Sequence, residues 1–160
     1  RATIIGQISE VVQRFGPIHR EAALRTIRDA WGIGRAGSRI KAAFDAAVSS
    51  AVTRTQMAEV GEFLHWAGED IEVRVPIDEY EPARVVREVP PEELDLAITL
   101  LLTDAGSSDF DRLRLAWARL FGWRRVGVDI EVAFEEAVDR LRAAGEIDGP
   151  DPLRLARPGS

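Results

Sequence analysis

The sequence predicts a mainly α fold with small β-hairpins, made of one unit used twice. Three observations carry that expectation. Apolar residues recur with a helical period in six stretches. Glycines adjoin the ends of most of these stretches. The chain also overlays itself without a gap when shifted by 90 residues. "WGIGRAGSRIKAAFDAAV" (31–48) falls on "FGWRRVGVDIEVAFEEAV" (121–138), so that Gly32, Arg35, Gly37, Ile40, Phe44 and Val48 recur as Gly122, Arg125, Gly127, Ile130, Phe134 and Val138. A self-match of this length marks one supersecondary unit repeated.

The elements follow in order. Ile4, Ile5, Ile8, Val11, Val12 and Phe15 keep a 3.6-residue period, predicting a helix over 3–15 that Gly16-Pro17 stops. A second helix is expected from His19, as its cap, to Trp31, with Leu24, Ile27 and Trp31 inward. Gly32 suits its C-terminal cap, where a left-handed backbone is wanted. A third helix is expected over 37–52, with Ile40, Phe44, Ala47, Val48 and Ala51 facing the core. "MAEVGEFLH" then reads as a hairpin turning at Gly61-Glu62.

The second copy matches. Pro90-Pro91-Glu92-Glu93 opens a helix, with proline in the first turn and acids at the positive end of the dipole. Gly106 ends it. Asp109 caps the next helix, whose face is Phe110, Leu113, Trp117, Leu120 and Phe121. Gly122 ends that one, and a third helix spans 127–144. "EID" and "LRL" about residues 149–152 give the last hairpin. Helix, helix-turn-helix and hairpin, twice, predict tandem winged-helix-like modules. The first spans 1–66 and the second 91–156, with a tail at 157–160. Between them lies an acidic linker, 67–90, in which "IEVRV" (71–75) reads as a short strand ended by Pro76. Trp123, in the turn, is expected at an interface between the modules.

The glycines at 32, 34 and 37 spell G-x-G-x-x-G. A dinucleotide loop needs a strand before that motif and a helix starting inside it. Here the preceding segment has a helical pattern. The second copy also replaces the central glycine with Arg124. The glycines therefore read as turn residues: Gly32 and Gly122 as caps, Gly37 and Gly127 as sites of close helix approach or unusual backbone angle.

Composition narrows the chemistry. With 46% hydrophobic and 30% charged residues the chain has a globular balance. It holds no cysteine and two histidines, His19 and His65, too few for a thiol nucleophile or a histidine-rich metal site. No cofactor, no metal and no catalytic residue is expected. No apolar run approaches the roughly 20 residues that span a bilayer, so no membrane partner and a cytoplasmic location are expected. The chain opens on Arg1, and we expect it to be part of a larger protein.

The net charge of −6 is unevenly spread. Residues 8–57 carry eight Arg/Lys against four Asp/Glu, whereas 58–97 carry three against twelve. The first module alone is therefore basic, as a phosphate-binding surface requires.

Several elements together are similar to one known family: "GPIH" (16–19), "WGIGRAGSRI" (31–40), "FLHW" (63–66), "REVPPEEL" (87–94), "FGWRRVGVDI" (121–130) and "LRAAGEI" (141–147). They resemble a domain of unknown function near the C-terminal end of large bacterial superfamily I helicase-related proteins. Those proteins often also hold a restriction-endonuclease-like domain. The resemblance covers residues 5–147 and implies a host that works on DNA. It does not imply that this segment is catalytic, and no Walker motif is present.

The expected role is thus a non-catalytic accessory module that binds DNA through its first copy, weakly and with strong salt dependence. In a helix-turn-helix the third helix is presented to the groove. Arg35, Arg39 and Lys41 at its start are the candidate DNA contacts, with Arg25 and Arg28 on the preceding helix. The bland alternative is a solvated helix face with pairs such as Lys41–Asp45. Arg125, like Arg35, recurs across the copies and is expected to hold the turn. The third helix of the second copy carries Asp129, Glu131, Glu135, Glu136 and Asp139, a face that repels phosphate. It points to the second hypothesis, a protein-interaction module that docks other domains of the host or a partner.

Overall fold

The computed structural model describes residues 3–34, 37–149 and 151–156. The chain divides into two compact units, Arg1–Asp70 and Ile71–Ser160. Both are mainly helical with small antiparallel strand pairs. Of the segment 67–90, the first four residues belong to unit 1 and the remainder to unit 2.

Unit 1 begins with α1 (Ile4–Phe15), capped by the Thr3 hydroxyl, which accepts from the Gly6 N–H. Strand β1 (Ile18–His19) follows, then α2 (Arg20–Ala30), α3 (Ser38–Arg54), β2 (Met57–Val60) and β3 (Phe63–Trp66). The hairpin turns at Gly61, whose φ of 58° fits the left-handed turn position. The sequence pattern did not reveal β1. It pairs antiparallel with β3, Ile18 opposite Leu64 and His19 opposite Phe63, so β3 is the central strand of three. Two residues are too few for an alternating pattern to register. The core of this unit gathers Ile8, Val12, Ile27, Phe44, Val48 and Leu64.

Unit 2 holds α4 (Pro91–Ala105), α5 (Phe110–Leu120), α6 (Val128–Ala143), and the short strands β4 (Ile147–Asp148) and β5 (Arg154–Leu155). Every α-helix begins within two residues of its expected start, and a short 3-10 helix at Val86–Glu88 was not expected. The 90-residue repeat is obeyed in space as well as in sequence. His19 caps α2 and Asp109, 90 positions on, caps α5. Ile18 pairs with Leu64 in the sheet of unit 1, and Ser108 makes an isolated antiparallel bridge to Leu153 in unit 2. Trp117, Phe134, Leu102, Ile98 and Leu113 are the heart of the second core, with Trp117 edge-on to Phe121, Trp123 and Phe134.

Four local expectations are corrected. Residues 71–75 form no strand. The Arg74 N–H donates instead to the Glu93 carboxylate at 3.0 Å, so the segment lies as an extended strap on unit 2, with Val73, Val86 and Val89 against its core. Trp123 is buried within unit 2, stacked on Phe121, its indole N–H donating to the Arg84 carbonyl at 2.7 Å. Trp31 does not face the core but is 42% exposed, and Phe15 is equally open. Gly37 and Gly127 are ordinary extended N-cap residues, with φ of −76° and −83°, and make no close backbone approach. Glycine is tolerated at that position because the cap residue is not yet helical.

Gly32 and Gly122 do adopt the left-handed conformation, with φ of 69° and 84°. Their settings differ. No atom lies within 4 Å of where a β-carbon would stand at Gly32. At Gly122 that carbon would meet Cγ of Pro76 at 2.8 Å. Pro76 belongs to the strap, so the second turn is covered.

Candidate functional site

The candidate DNA contacts fall on two helices of unit 1. Arg25 and Arg28 are three apart on α2 and share a face. Arg25 is exposed. Arg28 is largely buried, its Nε shielded and 4.0 Å from Oδ1 of Asp29, and that nitrogen makes no hydrogen bond among the described residues. Arg35 lies outside the described residues. Arg39 and Lys41 are exposed in the first turn of α3, and no ion pair holds either among the described residues. They are two positions apart, about 200° round the helix, so they do not share a face. Of the four described candidates, Arg25, Arg39 and Lys41 lie on the surface.

The Lys41–Asp45 pair of the alternative reading is not formed among the described residues. Asp45 is taken by Arg20, whose other nitrogen holds Glu59 on the hairpin. The Arg20 guanidinium also lies over the Phe44 ring at 5.7 Å. That triad ties α2, α3 and β2 together. It absorbs one basic and two acidic side chains and leaves Lys41 uncompensated.

His19 is structural. It is buried at 2% exposure. Its Nδ1 accepts from the Glu21 N–H, which leaves Nε2 to donate to Glu62 at 2.9 Å. Its ring meets Phe63 edge-on. Both nitrogens are occupied within the fold. Arg125 is exposed in the bend before α6, and no hydrogen bond or ion pair joins it to another described residue. The acids Asp129, Glu135, Glu136 and Asp139 are exposed along α6. Among the described residues no group of three or more His, Asp or Glu is placed to hold a metal ion, and no helix is long and apolar enough to cross a membrane.

A feature that sequence reasoning missed sits beside Arg39. A groove of about 720 Å³ is lined by Thr3, Ile4, Gln7, Trp31, Arg39 and Ile40. A smaller hollow of about 250 Å³, which includes Glu10, Arg14 and Phe15, shares Gln7 and Trp31 with it. Oε1 of Gln7 is buried and makes no hydrogen bond among the described residues. Neither α1 nor α3 carries an acid in its first turn, so nothing on these two helix starts offsets Arg39. The signal was present in the repeat. Thr3, Gln7, Arg39 and Lys41 stand where the second copy has Glu93, Ala97, Asp129 and Glu131.

Comparison with known proteins is consistent with part of the resemblance. No curated protein and no solved structure matched the chain. Residues 1–42, which include α1, β1, α2 and the start of α3, match the model of a family described as "Protein of unknown function (DUF3320)".

Proposed function

We propose that the chain is a non-catalytic, DNA-binding accessory module with two winged-helix-like units, belonging to a larger helicase-related protein, and that unit 1 makes the DNA contact. The observation that carries this reading is the exposure of Arg39 and Lys41 at the start of α3. In a helix-turn-helix the N-terminal residues of the presented helix lie nearest the bases and phosphates. Unit 1 has the order this plan needs: a helix, a short strand, two helices and a hairpin whose central strand pairs back to the first. Exposed Arg25 adds a further phosphate contact on α2. Unit 2 carries Asp129 and Glu131 at the start of α6 and would repel a duplex.

The test is fluorescence anisotropy of a labelled forked DNA from about 25 to 200 mM salt, where counterion release dominates. The chain is expected to bind with a steep salt slope. Arg39→Glu/Lys41→Glu is expected to weaken binding and flatten the slope by about two, one for each phosphate no longer neutralised. Both side chains are exposed, so the variant keeps its fold. Absence of binding at the lowest salt, or a variant that binds as the parent does, overturns the reading.

A second reading has one specific support. The exposed acids of α6 suit a basic protein surface, so unit 2 is assigned to docking within the host or on a partner.

A further inference from the structure

The two copies treat the same position in opposite ways. In unit 2 the aromatic residue that ends the second helix, Phe121, is 3% exposed. The strap covers it. Arg84 lies over its ring at 6.0 Å and donates to both oxygens of Glu93, while Pro76 sits on Gly122. Ninety positions earlier the corresponding residues are Trp31, Thr3 and Gly32. Thr3 and Trp31 line the open groove, and Gly32 has nothing over it.

The chemistry of the groove is also inverted. The unit 2 site holds a cation because Glu93 supplies a buried carboxylate. In unit 1 threonine replaces that acid, and Arg39, which lines the groove, stands where the second copy has Asp129. A strap fastened by one arginine, as 71–90 is by Arg84, would find no carboxylate at Thr3 and a like charge at Arg39. The occupant that fits has a flat apolar face for Trp31 and an anionic group for Arg39. A nucleotide has both.

We infer that the Trp31 groove takes an unpaired nucleotide of a single DNA strand: Trp31 stacks on the base and Arg39 holds a phosphate. The inference rests on the proposal that unit 1 binds DNA, and it names the form of DNA. Stacking on an aromatic face is tolerant of sequence and is the usual device for unpaired strands. The groove has the volume of ligand sites in general, about 300–1,000 Å³.

The experiment compares a labelled oligo-dT strand with a duplex of equal length, using the whole 160-residue chain. Trp31→Ala is expected to weaken strand binding about tenfold or more, the loss typical of one stacked base. Duplex binding is expected to change by less than about twofold, since the duplex hides its base faces. Trp31→Phe, which keeps an aromatic face, is expected to restore most of the strand affinity. If Trp31→Ala leaves strand binding unchanged while Arg39→Glu weakens both DNAs, the stacking site is wrong and the DNA reading survives. If neither DNA binds, both fall. A peptide of residues 71–89 that binds the chain, and loses that binding in Trp31→Ala while oligo-dT does not bind, would assign the groove to a protein strap and overturn the inference.

Discussion

Arg84 grips both oxygens of Glu93, and the carboxylate it holds is only 2% exposed. The same guanidinium also donates to the Arg74 carbonyl. The strap is therefore fastened to unit 2 by side chain and backbone together.

Removing the arginine leaves a buried carboxylate with the Arg74 backbone N–H as its one remaining partner among the described residues. Arg84→Ala is expected to destabilise unit 2 by about 3 kcal/mol, the lower end for breaking a buried pair, since the Arg84 side chain is 31% exposed. The pair Arg84→Met/Glu93→Leu is expected to recover most of that loss. Denaturant unfolding of both variants checks this. A loss under about 0.5 kcal/mol for Arg84→Ala would mean that the strap is not held by this pair.

The glycine turns offer a controlled comparison. Gly32→Ala meets empty space and carries only the left-handed backbone cost, about 1–2 kcal/mol. Gly122→Ala carries the same cost and also collides with Pro76. It is expected to lose at least about 1 kcal/mol more. Equal losses in thermal unfolding would show that the strap yields freely at this point.

The aromatic residues at the ends of the second helices should behave as differently as their burial. Phe121→Ala removes a ring packed on Trp117 and Trp123, and an expected loss of about 3–5 kcal/mol follows. Trp31→Ala, at an open position, is expected to change stability by less than about 1 kcal/mol. Chemical unfolding of the two variants side by side tests the contrast.

His19 closes α2 with one nitrogen and reaches the hairpin turn with the other. His19→Ala is expected to cost about 1–3 kcal/mol, because the cap disappears and a cavity opens beside Phe63. His19→Asn keeps a capping oxygen and is expected to recover part of this. The readout is the thermal midpoint, with far-ultraviolet circular dichroism to follow the helix.

Much of this architecture was legible in the chain. The positions of Ile8, Val12, Phe44 and Val48, and of their partners 90 residues on, specify the helices and their inward faces. What the pattern missed has physical causes. Trp31 keeps the helical period, yet it ends its helix where no second layer covers it. Periodicity reports which face a residue is on and cannot report whether that face is roofed. Val73 and Val75 alternate like a strand, but alternation does not supply a ladder partner, and the Arg74 N–H finds a carboxylate instead. Asp45 is well spaced to pair with Lys41, but Arg20, distant in sequence, reaches it. Within the candidate site, Arg39 was legible from its place at a helix start. Gln7 and Trp31 were legible only by asking where the copies disagree.

Two copies of one topology on a single chain carry a hazard during folding, since a strand of one can pair with the hairpin of the other. The polar contacts near these strands differ between copies and work against such exchange. β1 brings His19, which needs Glu62, and a mispaired β1 would strand that carboxylate and leave a buried imidazole without its acceptor. The counterpart of His19 is Asp109, which serves its own helix and offers Glu62 only repulsion. The small differences between the copies thus act as addresses that return each segment to its own fold.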